Sequence, residues 1–260
     1  MDEVMTLVRH AFLCALLLAA CSVAQGQTKE DWSLDVRLLT SLPFGRPAVG
    51  DGIGWSGQAL AASDGPLFGR WGLRGTRSYG VSIRRSLGKV GQLAFGFEQT
   101  RRIWQVEADW MPQIASAPVS SGSMEWIVAS YSWPILYRTE VTLTPGWRLG
   151  AGGGLLLEIL PTNAFTSTST EQDGNVLALE QESLRYNWNR WGMALELGLV
   201  KEGEEADLHI GGVLRPLIQP LSQAGLTARW NVGQGAADTR TILRTLDGSW
   251  WGLDVRLILH

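Results

Sequence analysis

The sequence predicts an all-β, antiparallel fold that closes on itself, and three features carry that prediction. The first is a near-repeat: Trp32 to Ser41 read WSLDVRLLTS, and Trp251 to His260 read WGLDVRLILH. Each copy sets aliphatic residues and tryptophan on one face and an Asp and an Arg on the other, the period-2 pattern of a half-apolar strand. The second is composition: the 260 residues include 31 glycines and 13 tryptophans, with no long apolar run past the amino-terminal segment. The third is that candidate strands are joined alternately by short turns and long connections.

The amino-terminal segment stands apart from this pattern. Ala11 to Ala20 is an apolar run preceded by Arg9 and His10 and followed, after Cys21, by SVAQGQ. A basic start, a short apolar stretch and small residues before a cleavage point describe a signal peptide, here residues 1–26 with cleavage after Gly26. The run is shorter than the roughly 20 residues of a transmembrane helix. Leu18 to Ser22 (LAACS) also resembles a lipobox, which would make Cys21 a lipidated first residue, so two processing routes stay open. Residues 27–31 read as a linker and 32–260 as one domain.

Composition excludes several classes of function. Both cysteines, Cys14 and Cys21, lie in the leader, so the mature chain has no disulfide, thiolate metal site or cysteine nucleophile. Setting aside Arg9, Asp2 and Glu3 leaves 21 basic and 23 acidic residues, without the clustered basic face that nucleic acid requires. No phosphate loop, zinc spacing or nucleophile elbow is present, and no cofactor is expected. His209 falls mid-strand on the polar face, where a hydrogen-bonded structural role is the simpler expectation. His260 is the last residue. No enzymatic activity is expected.

Eight strands follow in order. Trp32–Thr40 is the first. Ser78–Leu87 sets Tyr79, Val81 and Ile83 against Gly80, Ser82 and Arg84. Gln92–Trp104 sets Leu93, Phe95 and Phe97 against Glu98, Thr100 and Arg102. Trp126–Arg138 alternates Ile127, Tyr131, Trp133 and Tyr137 with Ser130, Ser132, Pro134 and Arg138, and a short connection near 139–142 leads on. Leu143–Ile159 alternates Trp147, Leu149, Leu155 and Leu157 with Arg148, Gly150, Gly152 and Glu158. Trp191–Val200 sets Trp191, Met193, Leu195 and Leu197 against Glu196. Asp207–Leu217 and the carboxy-terminal repeat complete the set.

Turns of about four to six residues follow strands two, four and six, and connections of roughly 20 to 35 residues follow the others, the build of a transmembrane β-barrel. Aromatic residues near strand ends (Trp32, Tyr79, Trp104, Trp126, Tyr137, Trp147, Trp191, Trp251) read as interfacial girdles. The prediction is therefore an eight-stranded antiparallel up-and-down transmembrane β-barrel. Ten strands are the alternative, since Ala224–Val232 and Ala237–Thr245 could form an extra hairpin that either adds to the ring or extends the barrel above the membrane. A sheet inside lipid cannot leave an edge unpaired, so the first and last strands must pair, which explains the repeat.

The polar faces predict the interior. Asp35, Arg37, Arg84, Glu98, Arg102, Arg148, Glu158, Glu196, His209, Arg215, Asp254 and Arg256 all point inward under the alternation. An eight-stranded barrel is only wide enough for side chains to fill, so buried charges of both signs must interlock.

The stretch WIVASYSWPILYR (Trp126–Arg138), a short turn and PGWRLGAGGGLLLEIL (Pro145–Leu160) resemble the PorT-like outer-membrane β-barrel proteins of Bacteroidota. These share an aromatic–aliphatic strand with a proline followed by a Gly-rich strand, and the AQGQ leader is similar to theirs. The resemblance implies a barrel in the cell outer membrane, contacting its lipid and the barrel-insertion machinery. It implies no single activity, and the chain departs from those barrels in ending Leu-Ile-Leu-His.

The functional expectation is an integral outer-membrane barrel of structural or recognition type. Its outward connections, Ser41–Arg77, Gln105–Gly122, Pro161–Glu182 and Ile218–Ser249, would meet an unidentified protein partner. A small channel, transporter or secretion-system accessory is the alternative, and a lipid-anchored periplasmic barrel holding an apolar ligand is a further one. The third connection, with TNAFTSTSTEQDG, is expected to be a polar loop without a packed structure.

Overall fold

The computed structural model describes residues 32–41, 59–87, 91–111, 119–161, 163–172, 174–184, 188–232, 237–246 and 248–260. The proposed signal peptide, the linker and Cys21 lie outside the described residues. Thirteen strands are present among the described residues, and no helix: β1 (Trp32–Ser41), β2 (Ala59–Asp64), β3 (Leu67–Ser86), β4 (Gly91–Trp110), β5 (Ser120–Thr144), β6 (Trp147–Ile159), β7 (Phe165–Gln172), β8 (Asn175–Leu184), β9 (Asn189–Lys201), β10 (Ala206–Arg215), β11 (Ser222–Val232), β12 (Asp238–Leu246) and β13 (Trp250–Leu259).

Eight of these form a closed antiparallel ring in the order β1, β3, β4, β5, β6, β9, β10, β13 and back to β1. Closure runs through the two repeated segments. Leu38 in β1 faces Tyr79 of β3 on one side and Val255 of β13 on the other. The near-identical ends of the chain are thus neighbours, and the ring has no free edge.

The alternation read from the sequence decides which way each side chain points. In β9 every second residue is buried: Arg190, Gly192, Ala194, Glu196, Gly198 and Val200 face in, and Trp191, Met193, Leu195, Leu197 and Leu199 face out. The same holds around the ring, so that Val36, Phe95, Ile135, Leu155 and Leu257 are exposed while Asp35, Glu98, Glu196 and Asp254 are buried. A soluble barrel does the reverse. An apolar outside and a charged inside is the arrangement of a barrel whose solvent is lipid.

One turn lies elsewhere than expected. The chain does not turn near 139–142; β5 continues to Thr144, which faces Trp147 across the turn residues Pro145 and Gly146. Gly146 has a φ of 80°, and proline followed by a glycine with positive φ is what a type II turn demands. Moving the turn adds an inward position at Glu140.

The described parts of the outward connections differ most from expectation, because they form a second β-layer. β3, β4 and β5 run 20, 20 and 25 residues, about twice the length a tilted membrane crossing needs. Their outer halves, with β2 on one flank, pack against a separate sheet ordered β12-β11-β8-β7. The segment expected as an unstructured polar loop forms β7 and β8. The additional hairpin is β11 and β12, and it joins this outer sheet instead of widening the ring.

The core between the two layers holds Trp71, Trp104, Val106, Trp110, Met124, Trp126, Leu177, Leu179, Leu226 and Ile242, all buried. Trp104 and Trp126, expected in the interfacial girdle, are part of this core. Both have the inward parity of their strands, and the strands simply continue past the barrel mouth. Trp32, Tyr79, Tyr137, Trp147 and Trp191 do face outward.

Candidate functional site

The chemistry-bearing groups of this protein converge inside the ring. Arg37 of β1 lies at the centre, where its guanidinium donates to Glu98 at 2.8 Å, Glu196 at 2.6 Å and Asp254 at 2.9 Å. Arg215 donates to the same Glu98 at 3.0 Å. Arg256 approaches Glu196 at 3.2 Å and Asp254 at 3.0 Å, and its Nε donates to His209 Nδ1 at 3.1 Å. Glu196 therefore serves several guanidinium groups at once, among them Arg138, whose Nε donates to it at 3.1 Å.

Toward the short turns the network continues without a break. Arg138 donates to Asp35 at 2.5 Å, Arg84 donates to Asp35 at 2.7 Å and Glu140 at 3.0 Å, and Arg148 donates to Glu140 at 2.5 Å and to Asp207. Arg148 is half-buried and also pairs with Glu202 in the turn, so it belongs to the rim and not to the centre. His260 approaches Asp207 at 3.1 Å, tying the chain end to the same rim. Glycines make room for these side chains. A Cβ on Gly152 would lie 2.9 Å from Arg138 Cγ, and one on Gly198 would collide with His209 Nε2.

At the opposite end a separate pair closes the mouth. Arg102 donates two bonds to Glu158, at 2.6 and 3.0 Å, one to Ser130 at 2.9 Å, and one through Nε to the carbonyl of Gly248 at 3.0 Å. Arg190 donates to the carbonyl of Pro220 at 2.7 Å. The two arginines thus grip the two segments that connect the ring to the β11–β12 hairpin. Leu39, Val213 and Trp250 form a buried apolar cluster at the same level.

All twelve residues assigned to the interior from the sequence face into the ring: ten lie along the network, and Arg102 and Glu158 form the separate pair at the mouth. The sequence reading placed Arg138 on the inward face without counting it in the charged set, and it missed Glu140, Asp207 and Arg190. Strand parity carried the signal for each: Asp207 shares it with His209 and Arg215, and Arg190 shares it with Glu196. Glu140 needed the turn to be placed at Pro145–Gly146. Pro134 also faces inward, beside Gly96, whose Cβ would lie 3.2 Å from the proline ring. A proline supplies no ladder donor, and the small glycine opposite lets the ring sit there.

Each central charge has an oppositely charged partner, and the groups face one another instead of an open cleft. Such an arrangement stabilises a filled barrel. Breaking a buried pair by removing one partner costs about 3–5 kcal/mol, because it strands the other charge.

No protein-family model and no curated sequence matches the chain. Among solved structures, the chain is similar to the outer membrane protease OmpT from Escherichia coli, at 9% identity over 88% of this chain and 91% of that one, with a TM-score of 0.29. It is similar to the translocator domain of the autotransporter NalP from Neisseria meningitidis, at 11% identity over 97% and 96% of the two chains, with a TM-score of 0.22. A third is the beta domain of the Bordetella autotransporter BrkA, at 7% identity over 88% and 99%, with a TM-score of 0.19. The barrel architecture stands on the strand pairing itself and not on these loose superpositions.

Proposed function

We propose that this protein is an integral outer-membrane β-barrel, exported by a cleaved leader, whose role is structural or in recognition and not catalytic. The observation that carries the reading is the inversion of the ring: aliphatic and aromatic side chains outside, interlocked Arg–carboxylate pairs inside. In water that exposure would be costly, and in lipid it is required. The strand with Pro134 and the Gly-rich strand after it support a relationship to the PorT-like barrels.

The filled interior favours this reading over a channel, since a conducting path needs a lumen wider than eight side-chain-packed strands leave. It also opposes the storage of an apolar ligand in the ring, whose centre is charged. The surface available to a partner is the outer β-layer, held rigidly on β3, β4 and β5.

The test is fractionation of cells expressing the full chain, followed by gel electrophoresis of unheated and boiled samples. A closed barrel resists detergent until boiled and migrates faster unheated. An outer-membrane band with that shift is expected. A protein recovered in the soluble periplasm, or one released by carbonate without a shift, would overturn the reading.

A further inference from the structure

The two borders of the apolar belt are built differently. On the short-turn side, outward cations rest on aromatic rings: Arg85 lies 5.3 Å from the centroid of Trp32, and Lys201 lies 6.0 Å from that of Trp147. On the side of the outer layer, the outward positions that follow the belt are Arg77 in β3 and Arg101 in β4, both exposed. They sit directly opposite each other in the strand register. Like charges so opposed destabilise a sheet unless something neutralises them.

Nothing on the described surface does so. Arg74 adds a third exposed guanidinium on the same strand, at the irregularity between Leu73 and Gly75 where the β3–β4 register slips. Bulges of this kind re-aim a side chain. Among the described residues, none of the three arginines has a carboxylate at ion-pairing distance. Farther up the same strand the rule changes: Arg70 pairs with Asp109 at 2.9 Å and with Glu107 at 3.7 Å. Within the β3–β4 pair, the outward arginine beyond the belt is neutralised and the three that border the belt are not.

Depth agrees with this placement. The eight residue steps from Arg77 to Arg85 span about 26 Å of strand, which tilt shortens to about 20 Å, and long arginine side chains reach outward from there to both interfaces of a belt of about 25 Å. The Arg77 end is the end of the long connections, which in such barrels faces the cell exterior.

We infer that Arg74, Arg77 and Arg101 bind the phosphate groups of a diphosphorylated outer-leaflet lipid whose acyl chains lie against the belt below, at Tyr79, Val81 and Phe97. Guanidinium groups recognise phosphate through paired donors. Continuity with the apolar belt selects a lipid over a free anion. The inference rests on the membrane reading above.

The experiment uses the full chain in detergent, probed by native mass spectrometry with diphosphoryl lipid A, monophosphoryl lipid A of the same acyl composition, and inorganic pyrophosphate. Preferential retention of the diphosphoryl form is expected, with little pyrophosphate bound. The R74Q/R77Q/R101Q variant should retain it about a hundredfold more weakly, while R85Q at the other border should leave retention unchanged. Equal retention by the triple variant, equal retention of the two lipids, or pyrophosphate binding as tight as lipid would overturn the site. Each variant is also run heated and unheated. A shifted, membrane-located barrel with unaltered lipid retention overturns only the site, and a protein without the shift overturns the membrane reading as well.

Discussion

The guanidinium of Arg37 and the carboxylate of Glu196 meet at 2.6 Å across the interior, although 159 residues separate them in the chain. Only a closed ring brings them together, and neither side chain has appreciable contact with solvent. Closure and charge pairing are therefore a single event. The apolar outside creates no demand for this pair, but the filled inside cannot form without it.

Replacing Glu196 by Gln removes the charge shared by Arg37, Arg138 and Arg256. The expected cost is about 3–5 kcal/mol, the penalty for leaving buried guanidinium charge uncompensated. Urea titration of the detergent-solubilised protein, read by loss of the fast-migrating unheated band, should show a lowered midpoint. An unchanged midpoint would mean that water reaches the centre and substitutes for the carboxylate.

Gly154 tests close packing within the ring wall. A Cβ there would collide with the carbonyl oxygen of Ile135 and lie 2.9 Å from Leu136 Cα, both backbone atoms that cannot swing away. Gly154→Ala should destabilise by about 1–3 kcal/mol through overpacking. Gly212→Ala is the control, since a Cβ at Gly212 meets nothing within 4 Å.

Arg102→Ala and Arg190→Ala should loosen the mouth without opening the ring. Each change removes a charged donor from a carbonyl, Gly248 or Pro220, a bond that contributes about 1.5–3 kcal/mol, and Arg102→Ala also strands the buried Glu158, which raises its cost to about 3–5 kcal/mol. Limited proteolysis of intact cells should then cut within residues 216–250 faster than in the parent, while the heat-dependent mobility shift persists. Loss of the shift together with cutting would mean that the grip also holds the ring.

Trp71→Ala separates the outer layer from the barrel. Trp71 is fully buried between the two sheets, and its Nε1 donates to Gln181 at 2.8 Å. Truncating a buried aromatic costs about 3–5 kcal/mol. The outer layer should become protease-sensitive while the ring, which owes its closure to other residues, stays resistant.

Reconstituted in a planar lipid bilayer, the parent protein should carry no steady ionic current. The paired charges fill the lumen, and Leu39, Val213 and Trp250 add an apolar layer at the mouth. Reproducible conductance steps from the purified protein would sink the filled-barrel reading and favour a channel.

Much of the ring is legible in the amino-acid sequence, because the face on which a side chain falls depends only on strand parity. Asp35, Arg37, Glu98, Glu196, Asp254 and Arg256 can be assigned to the interior on that ground alone, and the repeated ends imply that β1 and β13 meet. The outer layer is not legible in the same way. Trp104 and Trp126 have the same inward parity as Arg102 and Ser130, and nothing along the inward face marks where the barrel interior ends and a second core begins. The Ser/Thr-rich stretch of β7 carries no apolar face to announce a strand; it is held by pairing along β8, as between Ser167 and Glu180.

By itself, then, the sequence determined the alternation of faces, the chain-end repeat and the inward set of charges, since these follow from the two-residue period of an extended backbone. The tertiary structure alone decided which charges become partners, where the fifth strand turns, and that the long connections form a sheet. Those outcomes depend on contacts between residues far apart in the chain, and closure of the ring sets their geometry.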